Sequence, residues 1–206
     1  LSIVQLSIGG PDLSEPRALL YVDLGSPYAY LAFERAPAVL GIEPELGPVL
    51  LGAIFARRGF GSWAGTPARA ARIAELHERA ARYGLPPLLW PQVWPGDGLA
   101  AMRCLTWAAQ EGAAARFARA VFRAEFGSGA DIADAAVLAA AAEEAELDPA
   151  AMATAIRSAE VKRALRAATD AAWETGVRGV PSLAVPGALL YGDDQLELGA
   201  AALAGA

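Results

Sequence analysis

ALLYVDLGSPYAYLA, residues 18–32, is an apolar run with β-favouring Tyr and Val, a Gly-Ser-Pro break, and a second apolar run. The first run is short and bounded by turn residues, which predicts a buried strand. Ser26 followed by Pro27 predicts a helix start, because Ser caps free N–H groups and Pro fits the first helical position; that helix runs to about Leu40. Residues 45–51, ELGPVLL, predict a second strand, which Pro48 restricts to an edge or a strand end. The opening unit is β-α-β.

Outward from there, residues 66–176 change to alanine-rich segments with 3.6-residue periodicity, interrupted at Gly84, residues 86–95, Gly112, residues 127–129 and Asp148-Pro149. Five or six helices are expected. Residues 179–185 and 188–191 read as two short strands joined by Pro186-Gly187, and a last helix starts at Asp193 or Asp194. The predicted class is α/β: residues 18–65 and 177–206 form one α/β domain, residues 66–176 an all-helical insertion domain, and residues 1–17 an N-terminal extension. A cleft between the two parts is where a small-molecule site would form.

Composition removes several function classes. The 206 residues include 50 Ala, so the 55% hydrophobic content reflects helix-forming alanine more than an unusual core. Seventeen Lys+Arg against 23 Asp+Glu give a net charge of −6, without the cationic face that phosphate backbones require, and no nucleic-acid partner is expected. The longest unbroken apolar run, residues 135–142, is far too short for a bilayer, so no membrane partner is expected either. Nothing at the start of the sequence has the form of a secretory signal, and a cytoplasmic location is expected. One Cys, Cys104, and one His, His77, leave no dithiol and no metal-ligand set. Cys104 reads as a small core residue of a helix and His77 as solvated surface.

Three places remain that could carry chemistry. Ser26 follows the first strand directly and sits at a helix N-terminus, where free N–H groups and the dipole favour a thiolate or carboxylate; equally, its hydroxyl could simply cap the helix. Pro181, after Val180, starts a strand or occupies a special turn; a cis bond would leave the Val180 backbone free to pair with an extended ligand, whereas a trans bond is the ordinary case. Asp193 and Asp194 precede the last helix, either as caps or as partners for a ligand ammonium.

Taken together, YVDLGSPYAYLA (21–32), LGAIF (51–55), ARYGLPP (81–87), GVRGVPSLAV (176–185) and YGDDQLEL (191–198) resemble the 2-hydroxychromene-2-carboxylate isomerase and kappa-class glutathione transferase branch of the DsbA-like thioredoxin superfamily. The resemblance runs from Ala18 onward. It implies a thioredoxin-like fold split by a helical domain, often as a homodimer, with glutathione between the two parts. Ser26 matches the serine that replaces the redox cysteine and hydrogen-bonds the glutathione sulfur; Pro181 matches the cis-proline, Val180 the residue pairing with the cysteinyl unit, and Asp194, with Asp193 beside it, the acid near the γ-glutamyl end. Tyr28, Phe60 and Trp90 are assigned to the substrate pocket.

The implied activity is a glutathione-dependent isomerisation, or a related transfer, on a small conjugated aromatic or carbonyl compound, with glutathione or another low-molecular-weight thiol as cofactor and no metal. Ser26 would be the catalytic residue, stabilising the thiolate. The sequence departs from the pattern where Gln195 replaces an Arg, where Gly59-Phe60 replaces a Gly-Asn pair with Arg57 and Arg58 as substitutes, and where Glu78 stands at a basic position. Those losses keep open a redox-silent binding module of the same fold; a family-type disulfide oxidoreductase conflicts with the single Cys104.

Overall fold

The computed structural model describes residues 18–205. The expected extension, residues 1–17, lies outside the described residues.

Strand β1 (Leu19–Val22) forms where expected, with Leu20 and Val22 wholly buried and Leu19 and Tyr21 partly so. Helix α1 (Pro27–Leu40) opens with Ser26 as N-cap and Pro27 in its first turn, and closes at Gly41, whose φ of 72° is the left-handed value that favours glycine. Strand β2 (Glu45–Pro48) stops earlier than the sequence suggests. The physical reason is capture of the next N–H groups by side chains: Leu50 N–H donates to Thr169 Oγ1 at 3.1 Å and Leu51 N–H to Asp23 Oδ2 at 2.8 Å. The chain is thereby turned out of the sheet, and Leu51 begins helix α2 (Leu51–Arg58).

Six α-helices then follow: α3 (Arg69–Arg82), α4 (Leu99–Gln110), α5 (Ala114–Phe122), α6 (Ala135–Glu144), α7 (Pro149–Ala155) and α8 (Ala159–Glu174). The breaks fall where glycine and proline predict them, and α5 continues into a π-helical turn, Arg123–Gly127. The chain returns through β3 (Ser182–Val185) and β4 (Ala188–Tyr191), and a 3-10 turn, Asp193–Gln195, leads into α9 (Leu196–Ala204). The last α-helix therefore begins at Leu196, later than expected, because residues 193–195 take the tighter turn.

The sheet order is β2-β1-β3-β4, with β1 parallel to β2 and the other pairs antiparallel. Pro48 ends an edge strand, which satisfies both options the sequence left for it. Helices α1 and α9 pack together, with α9 also against β3 and β4, while α8 and α4 lie against β2. Phe117, Phe122 and Phe126 are fully buried in the core with Leu20, Leu31 and Met102. Among the described residues, no helix is long and apolar enough to cross a membrane.

Candidate active site

Ser26 is placed by a turn that the end of β1 builds for it. Its N–H donates to Asp23 O at 3.0 Å, and the Asp23 carboxylate braces the turn by accepting from Gly25 N–H at 3.0 Å and Leu51 N–H at 2.8 Å. Burial raises the Asp23 pKa against the pull of those two donors. Ser26 Oγ accepts from Ala29 N–H at 3.3 Å, so the hydroxyl is a helix cap. Its own proton has no acceptor among the described residues. Pro27 has no N–H and that of Ala29 is taken, leaving the Tyr28 N–H as the free donor of the first turn. Although only 4% exposed, Ser26 lines a cavity of about 970 Å³.

Val180 and Pro181 line the same cavity, and the bond between them is cis. Pro181 O accepts from Gly192 N–H at 3.0 Å, whereas neither the N–H nor the C=O of Val180 has a backbone partner among the described residues. That is a one-residue strand edge, open to an extended ligand.

The two acids divide. Asp193 is 1% exposed, its Oδ1 accepting from Arg79 Nη1 at 2.9 Å and its Oδ2 from the Tyr83 hydroxyl at 2.9 Å. Arg35 Nη1 donates to its carbonyl at 2.8 Å. Asp193, which also lines the cavity, thus has a partner on each carboxylate oxygen and ties α3 to the start of α9. Asp194 is half exposed on the cavity wall, 3.6 Å from Arg79, with Oδ1 accepting from Gln195 Nε2 at 3.3 Å. Gly192 permits this arrangement, since its φ is +119° and a Cβ there would lie 2.5 Å from Asp194 Oδ1.

Arg72 and Arg79, which the sequence reading missed, face the cavity from α3 and clamp Glu75. Burial would raise the Glu75 pKa, but hydrogen bonds and charge from the two guanidiniums outweigh it and hold the carboxyl below its usual range. Arg79 stands one residue beyond Glu78, where the family pattern has its basic group; the signal was the Glu75–Arg79 spacing of four on one helix face. Of the two arginines proposed as substitutes, Arg58 lies on the cavity wall, whereas Arg57 is paired with Asp170.

Aromatic rings form another part of the wall. Tyr28 packs edge-on to Trp63 at 6.3 Å and Trp63 lies 5.1 Å from Trp94, whose Nε1–H donates to Gly25 O. The Tyr28 hydroxyl is buried, and its pKa is raised by that burial and by Glu75 against the pull of the Arg72 and Arg79 guanidiniums. Phe60 is 46% exposed at the rim, under the Arg58 guanidinium at 4.2 Å. Trp90 is not on this wall. It packs edge-on behind Trp94 at 4.8 Å and gives its indole N–H to His77 Nε2 at 3.2 Å. His77 is accordingly half-buried and hydrogen-bonded rather than solvated.

Glu125, on the π-helical turn, also lines the cavity and also escaped the sequence reading. It is 2% exposed, and its Oε2 has no hydrogen-bond partner. Desolvation, with further contributions from Asp23 and Asp131, pushes its pKa up to about 9. Its signal was an acid on the apolar stripe of a periodic helix, beside Phe122 and Phe126. Cys104 lies elsewhere, buried in α4, where burial pushes the thiol up to about 12. Among the described residues, no three His, Cys, Asp or Glu side chains form a potential metal site.

Comparison with known proteins agrees with this architecture. No curated protein matches the chain. Among solved structures, a 2-hydroxychromene-2-carboxylate isomerase superposes with a TM-score of 0.78 at 22% identity, covering 88% of this chain and 91% of its own. A probable DsbA oxidoreductase from Streptomyces coelicolor gives 0.69 at 21% identity, covering 93% and 89% respectively. The cytosolic disulfide reductase DsbM from Pseudomonas aeruginosa, determined with GSH, gives 0.59 at 16%, covering 91% and 96%. At these identities the likeness is one of fold. The model of the DSBA-like thioredoxin domain matches residues 19–204, and with the four-stranded sheet, the helices set between β2 and β3, and the turn at Ser26, it shows that the chain belongs to the DsbA-like thioredoxin family.

Proposed function

We propose that this protein binds a low-molecular-weight thiol of the glutathione type and uses it to isomerise, or to transfer to, a small conjugated aromatic or carbonyl compound. The observation that carries the reading is that the cavity presents thiolate-stabilising groups and no thiol of its own. Ser26 and the first turn of α1 stand there, and the one cysteine of the sequence is buried in α4. The residues present fit such a group. The unpaired Val180 backbone suits an extended cysteinyl unit, Asp194 a γ-glutamyl ammonium, and Arg58 a carboxylate. When bound, the thiol supplies a reversible nucleophile toward a conjugated carbonyl compound.

The chain's own contribution is electrostatic. Ser26 donates its free O–H to the sulfur and the Tyr28 N–H adds a second donor at the positive end of α1, both of which favour the ionised form. The ring wall of Tyr28, Trp63 and Trp94 offers a stacking surface for an aromatic substrate. Calorimetric titration with glutathione tests the reading: binding is expected at millimolar concentration or below, weakened in Asp194→Ala. No heat from glutathione, cysteine or other small thiols refutes it. The unpaired Val180 edge also supports a second reading, a redox-silent peptide-binding module, for which peptide binding without thiol-dependent turnover is the distinguishing result.

A further inference from the structure

Glu125 has no task in the thiol site described above, yet it is buried in the wall of the same cavity. Its Oε2 is buried with no hydrogen-bond partner among the described residues. A buried carboxyl oxygen without a partner costs free energy unless something uses it. The π-helical turn Arg123–Gly127 carries it, and such turns concentrate at functional sites. Arg123, the cation on the same turn, is committed to Glu34. The charged groups acting on Glu125 are both acids: Asp23 at the end of β1 and Asp131, whose Oδ1 accepts from Ala133 N–H. Arg58, Arg72, Glu75, Arg79, Asp97, Asp193 and Asp194 complete the charged part of the wall. With acids as its electrostatic neighbours, Glu125 suits an acceptor oxygen and repels an anion.

We propose that Glu125 is a catalytic acid and base, donating its carboxyl proton to the carbonyl oxygen of a conjugated ketone or aldehyde bound in the cavity. This rests on the thiol-dependent reading above. In the forward step a bond forms between the thiolate sulfur and the alkene carbon remote from the carbonyl. The alkene pair shifts toward the carbonyl carbon, the carbonyl π pair takes the Glu125 proton, and the products are an enol and a carboxylate. The former double bond is now free to rotate. In the return step the enol proton goes back to Glu125, the carbonyl and alkene re-form, and the carbon–sulfur bond breaks to release the thiolate. No electron is gained or lost overall.

The test uses the full chain and 4-phenylbut-3-en-2-one as probe. Difference infrared spectroscopy of the bound enone, without thiol, should show its carbonyl stretch moved to lower frequency by wild type, moved less by Glu125→Gln, and unmoved by Glu125→Met. With glutathione added, proton transfer is worth roughly a hundredfold or more, so kcat of Glu125→Gln should fall at least that far with little change in KM. An unshifted band in wild type, an equal shift in Glu125→Met, absence of probe binding, or an unchanged kcat in Glu125→Gln overturns the assignment. A shifted band that depends on Glu125, with no thiol binding by calorimetry, instead sinks the thiol reading and leaves the acid in place.

Discussion

Replacing Glu125 by Gln should stabilise the protein above pH 5, by an amount that grows with pH. The carboxyl is 2% exposed and its pKa is raised from 4.5 to about 9, so the folded chain keeps the proton that the unfolded chain releases. Folding is not penalised below the unfolded value, where both states are protonated. Stability is lost as pH climbs between the two values, and the loss levels off above the folded one. Each unit is worth about 1.36 kcal/mol, giving a penalty of about 3 kcal/mol at pH 7 and a change of about 4 kcal/mol between pH 5 and pH 8. Glutamine keeps the shape and the neutrality but has no proton to lose. Its advantage over wild type, read from urea unfolding at each pH, should widen across that window, and subtracting the two curves cancels the acids that do not interact with Glu125. A constant difference would show that the carboxyl titrates normally. A difference that shrinks with rising pH would show that it is ionised in the fold, and the acid role would fall with it.

Ser26→Ala removes a cap and a donor at once. We expect a loss of about 1 kcal/mol in unfolding free energy and a much larger fall in thiol-dependent turnover, which paired stability and kinetic measurements separate. Asp193→Ala leaves Arg79 and Tyr83 facing an empty site and should cost about 3–5 kcal/mol by denaturant unfolding, whereas Asp194→Ala, on the exposed neighbour, should stay within about 0.5 kcal/mol. Cys104 should resist alkylation in the native state at pH 8 and react on unfolding, because burial holds its thiol protonated; rapid native labelling, followed by mass spectrometry, would contradict its placement.

The architecture was legible because its punctuation is local. Ser26-Pro27, Gly84, Gly112, Asp148-Pro149 and Pro186-Gly187 mark ends that backbone geometry enforces wherever the rest of the chain lies. Ser26 itself was legible for the same reason, as a strand-to-helix junction. What escaped depends on partners distant in sequence. Leu50 and Leu51 look like strand until Thr169 and Asp23 take their N–H groups, and Trp90 was assigned to the pocket whose wall the fold gives to Trp94, with Trp90 packed against it. Glu125 was overlooked although its position on a buried stripe was readable, because an acid in a helix is ordinarily assigned to solvent.

The adjacent acids show why residue identity alone misleads at this site. Counted from the sequence, Asp193 adds a negative charge and Gln195 removes a positive one relative to the family pattern, which would turn the γ-glutamyl end of the cavity strongly acidic. In the fold, Arg72 and Arg79 meet Glu75, Asp193 and Asp194, two positive charges against three negative. Asp193 and Glu75 are engaged by these guanidiniums, so the remaining negative charge resides on Asp194, the exposed member. One net negative charge on a wall that also carries an unpaired backbone edge is the complement of one ammonium on an extended chain. On the thiol-dependent reading proposed above, the cation that Gln195 removes from the loop before α9 is supplied from α3, by Arg79.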